Sequence, residues 1–428
     1  MTFKYMITTI ISIIGILVFF NLFYKLQYGI ATYMLYIFLV PMEIYIFGHI
    51  VGLNVALALM LFLLLGKQIN KYYGNDLKPF LFLFLAQACL IPLHFSEEPI
   101  MYQINSFRID LMTLICPFAI LCTATDKKII KIYNLILYLV IFISTIYGLS
   151  LLTMIGQNPY MEIVNSITSK ESLDQTNVLE EGVRLFGYIE SVFGTVTSYG
   201  IFLILSAVYV FYDLQKNEKK LLPIIALTLI TTNIIVCGSR SVLMGYLFCI
   251  LFYLLLKRQY KSLLYTSLVA LFTILLIIEI MPEYMVFVKS FGSSDYGGSS
   301  YEMRDSQFVG CFQSIKDNVL FGNGYGWTGW YRNEIGRHPI MLSFESILIQ
   351  ILCNGGLTGL FIWLIFVFLY TKRSGFLENT KDENAIIVLV LLGGFLARSF
   401  LTGDYGGMRY LLIFYALIRS KQRLVTSI

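Results

Sequence analysis

Runs of about 17–25 apolar residues recur from one end of this chain to the other, each long enough to cross a hydrocarbon layer roughly 30 Å thick. In lipid every backbone N–H and C=O has to find its partner inside the protein, which leaves helices or closed barrels. The runs are continuous rather than alternating, so helices are expected and a barrel is not. With 57% hydrophobic and 13% charged residues among 428, the chain also lacks the polar surface of a water-soluble domain. The reading is an all-α, polytopic transmembrane helical bundle forming a single integral membrane domain over 1–428.

Spans are expected at 6–24, 28–47, 49–66, 79–95, 108–124, 129–156, 192–212, 221–237, 241–256, 262–281, 343–370, 385–401 and 408–419. The segment "MITTIISIIGILVFF" follows Lys4 and has no small-residue cleavage site after it, so it reads as a retained anchor. Short basic loops give the orientation. "GKQINKYYGNDLK", "DKKIIK", "QKNEKK", "KRQYK", "TKRS" and the tail "RSKQR" belong on the cytoplasmic side. They alternate with "FSEEP" and with two long segments, 157–191 and 282–342, expected outside the membrane. The parity breaks before Lys67: either one of the first three runs does not span, or the N-terminus is external, giving about 12 or 13 helices.

The net charge of +5 implies no nucleic-acid partner, and the seven cysteines show neither metal spacing nor a disulfide framework. Cys311 is the only one in a long loop.

One stretch has more chemistry than a tether requires. "LFGNGYGWTGWYRNEIGRHP", from Leu320 to Pro339, holds five glycines, two of the three tryptophans, two tyrosines, two arginines and a histidine. Glycines allow close backbone approach, and flat faces such as Trp327 and Trp330 stack on sugar rings. An aromatic belt at the membrane surface explains the tryptophans but not the glycines.

Arginine use is lopsided. Inner loops favour lysine, whereas the outer side has Arg108, Arg184, Arg240, Arg304, Arg332, Arg337, Arg398 and Arg409. A guanidinium grips phosphate with two parallel hydrogen bonds, which lysine cannot do. Headgroup snorkelling and local ion pairs are the plainer explanation for any one of them. Arg240 in "CGSRS", Arg184 in "RLFGYIESVFGTVTSYG" and Arg304 in "YEMRDSQFVGCFQSI" are the candidates for a phosphate site.

"NVLFGNGYGWTGW" followed by "HPIMLSFESILIQILCNGGLTGLFIWL" resembles the O-antigen ligase/polymerase superfamily, whose members pair a G-x-G-x-G loop with a helix bearing G-x-x-G. Here these are Gly322, Gly324 and Gly326, then Gly356 and Gly359. Counting back from Gly356, the histidine position of the ligases falls on Glu345, and His338 is offset by seven residues, which resembles the polymerase branch. The resemblance implies a GT-C-like membrane glycosyltransferase: inverting, metal-independent and without a cofactor. It would join repeat units of O-antigen, capsule or exopolysaccharide borne on undecaprenyl pyrophosphate, at the outer face of a bacterial cytoplasmic membrane.

Under that implication Arg184, Arg240 and Arg304 stabilise the leaving pyrophosphate, and Glu345 is the base or acceptor-orienting group, with Glu190 and His338 behind it. Gly322, Gly324, Gly326, Trp327, Trp330, Arg337 and His338 would hold substrate. Implied partners are the undecaprenyl-pyrophosphate-linked oligosaccharide, membrane lipid, a chain-length regulator and a flippase. Two rivals stay open: a ligase with a different acceptor, and a flippase or transporter. A transporter is expected to have polar groups or broken helices at mid-membrane, and the runs read as almost uncharged at their centres.

Overall fold

Charge fixes which helix ends meet. In the computed structural model, the described residues are 13, 15–40, 51–67, 71–93, 98–153, 158–162, 189–193, 195–216, 218–237, 239–280, 300–336, 338–341, 344–402 and 405–426. Among them lie α1 (Gly15–Tyr24), α2 (Leu26–Leu39), α3 (Val51–Gly66), α4 (Lys78–Ala88), α5 (Ile100–Met112), α6 (Ile115–Thr123), α7 (Lys127–Ser150) and α8 (Val196–Lys216). There follow α9 (Leu221–Val236), α10 (Arg240–Leu256), α11 (Tyr260–Ile280), α12 (Ser300–Ser314), α13 (Ile347–Ser374), α14 (Glu383–Thr402) and α15 (Met408–Thr426). No strand occurs among the described residues. The fold is an all-α multi-pass bundle, and six of its helical segments are long and apolar enough to cross a membrane: Lys71–Leu93, Ile100–Thr123, Lys127–Thr153, Val196–Lys216, Ile347–Ser374 and Glu383–Thr402.

The basic loops converge at one end. Asp76, only 1% exposed, takes Arg373 at 2.8 Å from the end of α13, and Arg419 at 3.1 Å and Arg423 from the end of α15. Lys421 reaches Asp213 of α8 at 2.5 Å and Asn134 of α7 at 3.0 Å. Glu383, opening α14, takes Lys257 at 2.6 Å and Lys216 at 3.9 Å. These contacts force neighbouring helices into alternating directions. Packing follows suit: α10 lies on α14, α8 on α9, α13 on α4, and α15 on α6 and α8. Aromatic rings pack beside the Asp76 cluster: Phe80 touches Phe366, Tyr370 and Tyr415, and the Tyr415 hydroxyl donates to the Asp76 carbonyl at 3.1 Å.

One boundary corrects the sequence reading with consequence for function. The span expected at 108–124 begins at Ile100, on Pro99 as N-cap. The stretch 100–107 reads as too polar for lipid because Gln103 and Ser106 face a protein loop instead. Asp110 therefore lies in the last turn of α5, just before the break that joins it to α6, near the middle of the apolar segment Ile100–Thr123, and the expectation of uncharged span centres fails there.

A buried carboxylate ringed by arginines leaves uncompensated charge when deleted. Asp76→Ala is expected to destabilise the bundle by about 3–5 kcal/mol. Glu383→Ala, at a half-exposed pair, should cost less than about 1 kcal/mol. Thermal unfolding of both variants in detergent measures this, and equal effects would mean that the Asp76 cluster is not a folding anchor.

Candidate functional site

The site is built where α13 breaks. Gly356 has φ 58° and ψ −151°, far from helical values. It lies nine residues in from Ile347, roughly 14 Å along the helix axis at 1.5 Å per residue. A broken helix at that depth exposes carbonyls and amides that lipid cannot satisfy. The glycine-rich loop satisfies them. Asn323 N–H donates to the Cys353 carbonyl at 2.8 Å, and Gly324 N–H to the Asn354 carbonyl at 3.0 Å. In return Leu357 N–H donates to the Val319 carbonyl at 3.0 Å and Thr358 N–H to the Leu320 carbonyl at 2.9 Å. Thr328 N–H adds a bond to the Asn354 side-chain oxygen at 2.9 Å.

This docking needs glycine on both sides. A Cβ on Gly356 would sit 2.5 Å from the Val319 carbonyl oxygen, and one on Gly322 would sit 2.6 Å from the Gly356 nitrogen. The loop's other face presses on α5: a Cβ on Gly324 would meet Gln103 at 2.7 Å, and one on Gly326 would meet Ser106 at 2.7 Å. The loop is thus a re-entrant strap wedged between α5 and α13.

Beside the strap is a cavity of about 420 Å³. Its polar lining includes Asp110, Tyr325, Arg332, Gln350, Asn354 and Arg409. Its apolar wall includes Ile37, Leu57, Leu90, Met112 and Ile413. Tyr325 hydroxyl donates to Asp110 Oδ2 in a short hydrogen bond, and the Tyr325 ring stands edge-on to Phe107 at 6.1 Å. Arg409 lies over the Tyr410 ring, 4.7 Å from its centroid, and donates to its hydroxyl at 2.8 Å. The ion pairs of the basic end involve none of Asp110, Arg332 and Arg409. A half-buried carboxylate, a half-buried guanidinium and the exposed guanidinium of Arg332 thus line one cavity between helices without bridging one another. Ionisable groups at such depth mark binding or proton-transfer sites.

The residues anticipated from sequence fall in several places. Gly326 lines the cavity, and Gly322 and Gly324 hold the strap. Trp327 is 7% exposed and packs on Phe344 at 5.7 Å and Tyr331 at 5.0 Å, so it offers no open face for a sugar ring. Trp330 is half-buried beside Tyr331 and does not line the cavity. Glu345 is half-buried one residue before Ser346, the N-cap of α13, and is not in the lining either. Arg240 opens α10, half-buried, also outside the lining. Arg304 lies on α12 with only its own backbone described, and Arg184 and Arg337 lie outside the described residues.

His338 ties the strap's return to α12. Its Nδ1 accepts from the Ile340 and Met341 amides at 3.2 and 3.1 Å, which leaves Nε2 protonated and donating to Ser314 Oγ at 3.1 Å. Burial holds its pKa below the usual histidine value, favouring this neutral form. Glu98 lies beneath the strap, its Oε1 3.9 Å from where a Gly326 Cβ would be. Burial pushes its carboxyl up to about 8.

Sequence reasoning placed Arg332 and Arg409 on the outer side but did not single them out, and it passed over Asp110 and Tyr325. The available signal was a lone aspartate in "MYQINSFRIDLMTLICPF" with a polar run before it. Among the described residues no group of three His, Cys, Asp or Glu side chains is placed to hold a metal ion. No protein-family model and no curated protein matches this chain.

Gly356→Ala is expected to unseat the strap and lower the melting temperature markedly. Gly375→Ala, also at positive φ (87°) but with open space around it, should cost only about 1 kcal/mol of backbone strain. Similar losses in both would refute the backbone docking. Glu98 gives a pH test. Its folded pKa of about 8 lies above its ordinary 4.5, so its contribution is fully present below pH 4.5 and is lost as pH rises through 8. Glu98→Gln should melt with the wild type near pH 4.5 and progressively above it towards pH 8. A constant difference across that range would contradict the buried carboxyl.

Proposed function

We propose that this chain is a GT-C-like membrane glycosyltransferase that polymerises lipid-linked glycan repeat units from a polyprenyl pyrophosphate donor. The carrying observation is the cavity that combines Asp110, held by Tyr325, with Arg332 and Arg409 under an apolar wall. The resemblance of the G-x-G-x-G and G-x-x-G segments supports the donor class, and the basic loops support an outward-facing cavity.

The chemistry then divides among these residues. An acceptor sugar hydroxyl gives its proton to the Asp110 carboxylate as its oxygen attacks the anomeric carbon. The bond to the lipid pyrophosphate breaks, and the guanidiniums of Arg332 and Arg409 stabilise the charge that develops on the leaving oxygen. Tyr325 keeps Asp110 oriented. The apolar wall suits the first isoprene units of the lipid.

One observation favours the second reading. A helix broken within its length and an ionisable residue at depth are features of transporters as well. The assay must therefore separate joining from movement. Protein in nanodiscs, given undecaprenyl-pyrophosphate repeat units, is expected to yield a ladder of lengthening lipid-linked chains on a gel. Asp110→Asn should cut turnover by about 100-fold or more while donor binding persists. Arg409→Ala should cost about 100-fold, and Arg409→Lys should remain poor because it lacks the planar fork. Full activity in Asp110→Asn removes it as base. Absence of a ladder, with movement of the same lipid across sealed liposomes, assigns transport instead. Transfer seen only when lipid A-core is added assigns the ligase.

A further inference from the structure

We infer that Cys311 and Cys353 are a disulfide-forming pair that staples shut the segment bearing the site. Cys311 lies on α12 and Cys353 on α13, in the turn before the break at Gly356. Their sulfurs are 3.4 Å apart. Both are fully buried in one apolar cluster with Ile315, Trp327, Met341 and Phe344. Moving from that separation to a bond of about 2.05 Å requires a shift of roughly 1.4 Å, shared between two side chains.

Position gives the pair its meaning. The two cysteines are 42 residues apart in sequence, and the segment between them contains the whole strap, Tyr325, Arg332 and His338. A cross-link closing a loop of this length removes much of the freedom of the unfolded segment. It also fixes α12 to α13 at the residue whose carbonyl accepts from Asn323, the first hydrogen bond of the docked strap. The pair lies at the end of the bundle opposite the basic cluster. The orientation read from the basic loops puts that end outside the cytoplasm, where disulfides form and persist. The inference rests on that orientation and not on glycosyl transfer.

The oxidant is the disulfide of an extracytoplasmic thiol oxidase, acting before α12 packs on α13. One cysteine thiolate attacks that disulfide, forming a mixed disulfide and releasing one oxidase thiol. The second thiolate then attacks the chain's own sulfur and expels the second oxidase thiol. Two cysteine thiols are oxidised and one disulfide is reduced, with two protons released from the cysteines and two taken up by the oxidase.

The test is a thiol count on the full chain taken directly from membranes, denatured in N-ethylmaleimide without reductant and weighed intact. Five of the seven cysteines should be alkylated, and all seven after reduction. Cys311→Ser should show six adducts with and without reductant. A non-reduced digest should contain a cross-linked peptide joining Cys311 to Cys353. Seven adducts before reduction would overturn the inference, as would a Cys311→Ser chain that still hides two thiols until reduced. Reduction should also lower the melting temperature of the wild type by several degrees and leave Cys311→Ser unmoved. A thiol count as expected with no transferase activity would retain the staple and reject the enzyme reading. The reverse would do the opposite.

Discussion

The site depends on one backbone contact at the break in a membrane-spanning helix: Gly322 against Gly356. Four main-chain hydrogen bonds join the strap to α13 around that contact, and each satisfies a group that lipid would leave bare. An alanine on either side would overlap backbone atoms, which cannot rotate away as a side chain could. The break in α13 and the insertion of the strap are therefore one event. Neither is stable alone, because a kinked helix without the strap, or a strap without the kink, exposes unpaired peptide groups at depth. The cavity exists because this contact holds Tyr325 and Gly326 between α5 and α13, facing Asp110.

The two ends of the bundle treat charge in opposite ways. At the basic end, carboxylates and cations are matched: Asp76 has three arginines, Asp213 a lysine and Glu383 two lysines. These pairs hold helix ends together and leave little charge for a ligand. In the cavity, Asp110, Arg332 and Arg409 share a space without pairing, so their fields act on whatever enters. Asp110 and Arg409 are half-buried and Arg332 is exposed at the mouth, and the strap that bears Tyr325 keeps the carboxylate oriented into the cavity. Arg409 is held by Tyr410, itself stacked on Phe38 at 5.6 Å, so its position is set by core aromatics rather than by a counter-ion.

Much of the bundle was legible from hydropathy and loop charge. Segments such as 127–150, 221–236 and 383–402 lie close to their apolar runs because nothing but lipid and neighbouring helices competes for them. The strap was legible as a cluster of unusual residues but not as a membrane insertion. Its glycines act through contacts with α5 and α13, which no spacing rule displays. Trp327 illustrates the ambiguity: its ring chemistry suits a sugar, but its neighbours Phe344 and Tyr331 bury it. Asp110 was passed over because its span was started too late. The expected span began at 108, so Asp110 fell near its outer end, whereas Gln103 and Ser106 continue the helix upstream and meet the strap. The proximity of Cys311 to Cys353 was likewise beyond reach, since it depends on α12 folding back across α13.

A broken membrane helix serves either motion or rigidity, and the contacts around the break distinguish the two. Alternating access requires the halves of a broken helix to move against each other around a bound cargo. Here the halves of α13 are joined through the strap by hydrogen bonds on both sides of Gly356: Cys353 and Asn354 accept from it, and Leu357 and Thr358 donate to it. Hinging at Gly356 would break these bonds in a medium that supplies no replacement. The same strap is fastened to α5 through Gln103, whose side-chain oxygen accepts from Tyr325 N–H at 3.3 Å, and to α12 through His338. A carboxylate held by Tyr325 and a guanidinium held by Tyr410 beside a stationary cavity suit a reaction whose charge develops at one place, because preorganised groups need not rearrange as it does. That rigidity is the physical ground for preferring group transfer to passage.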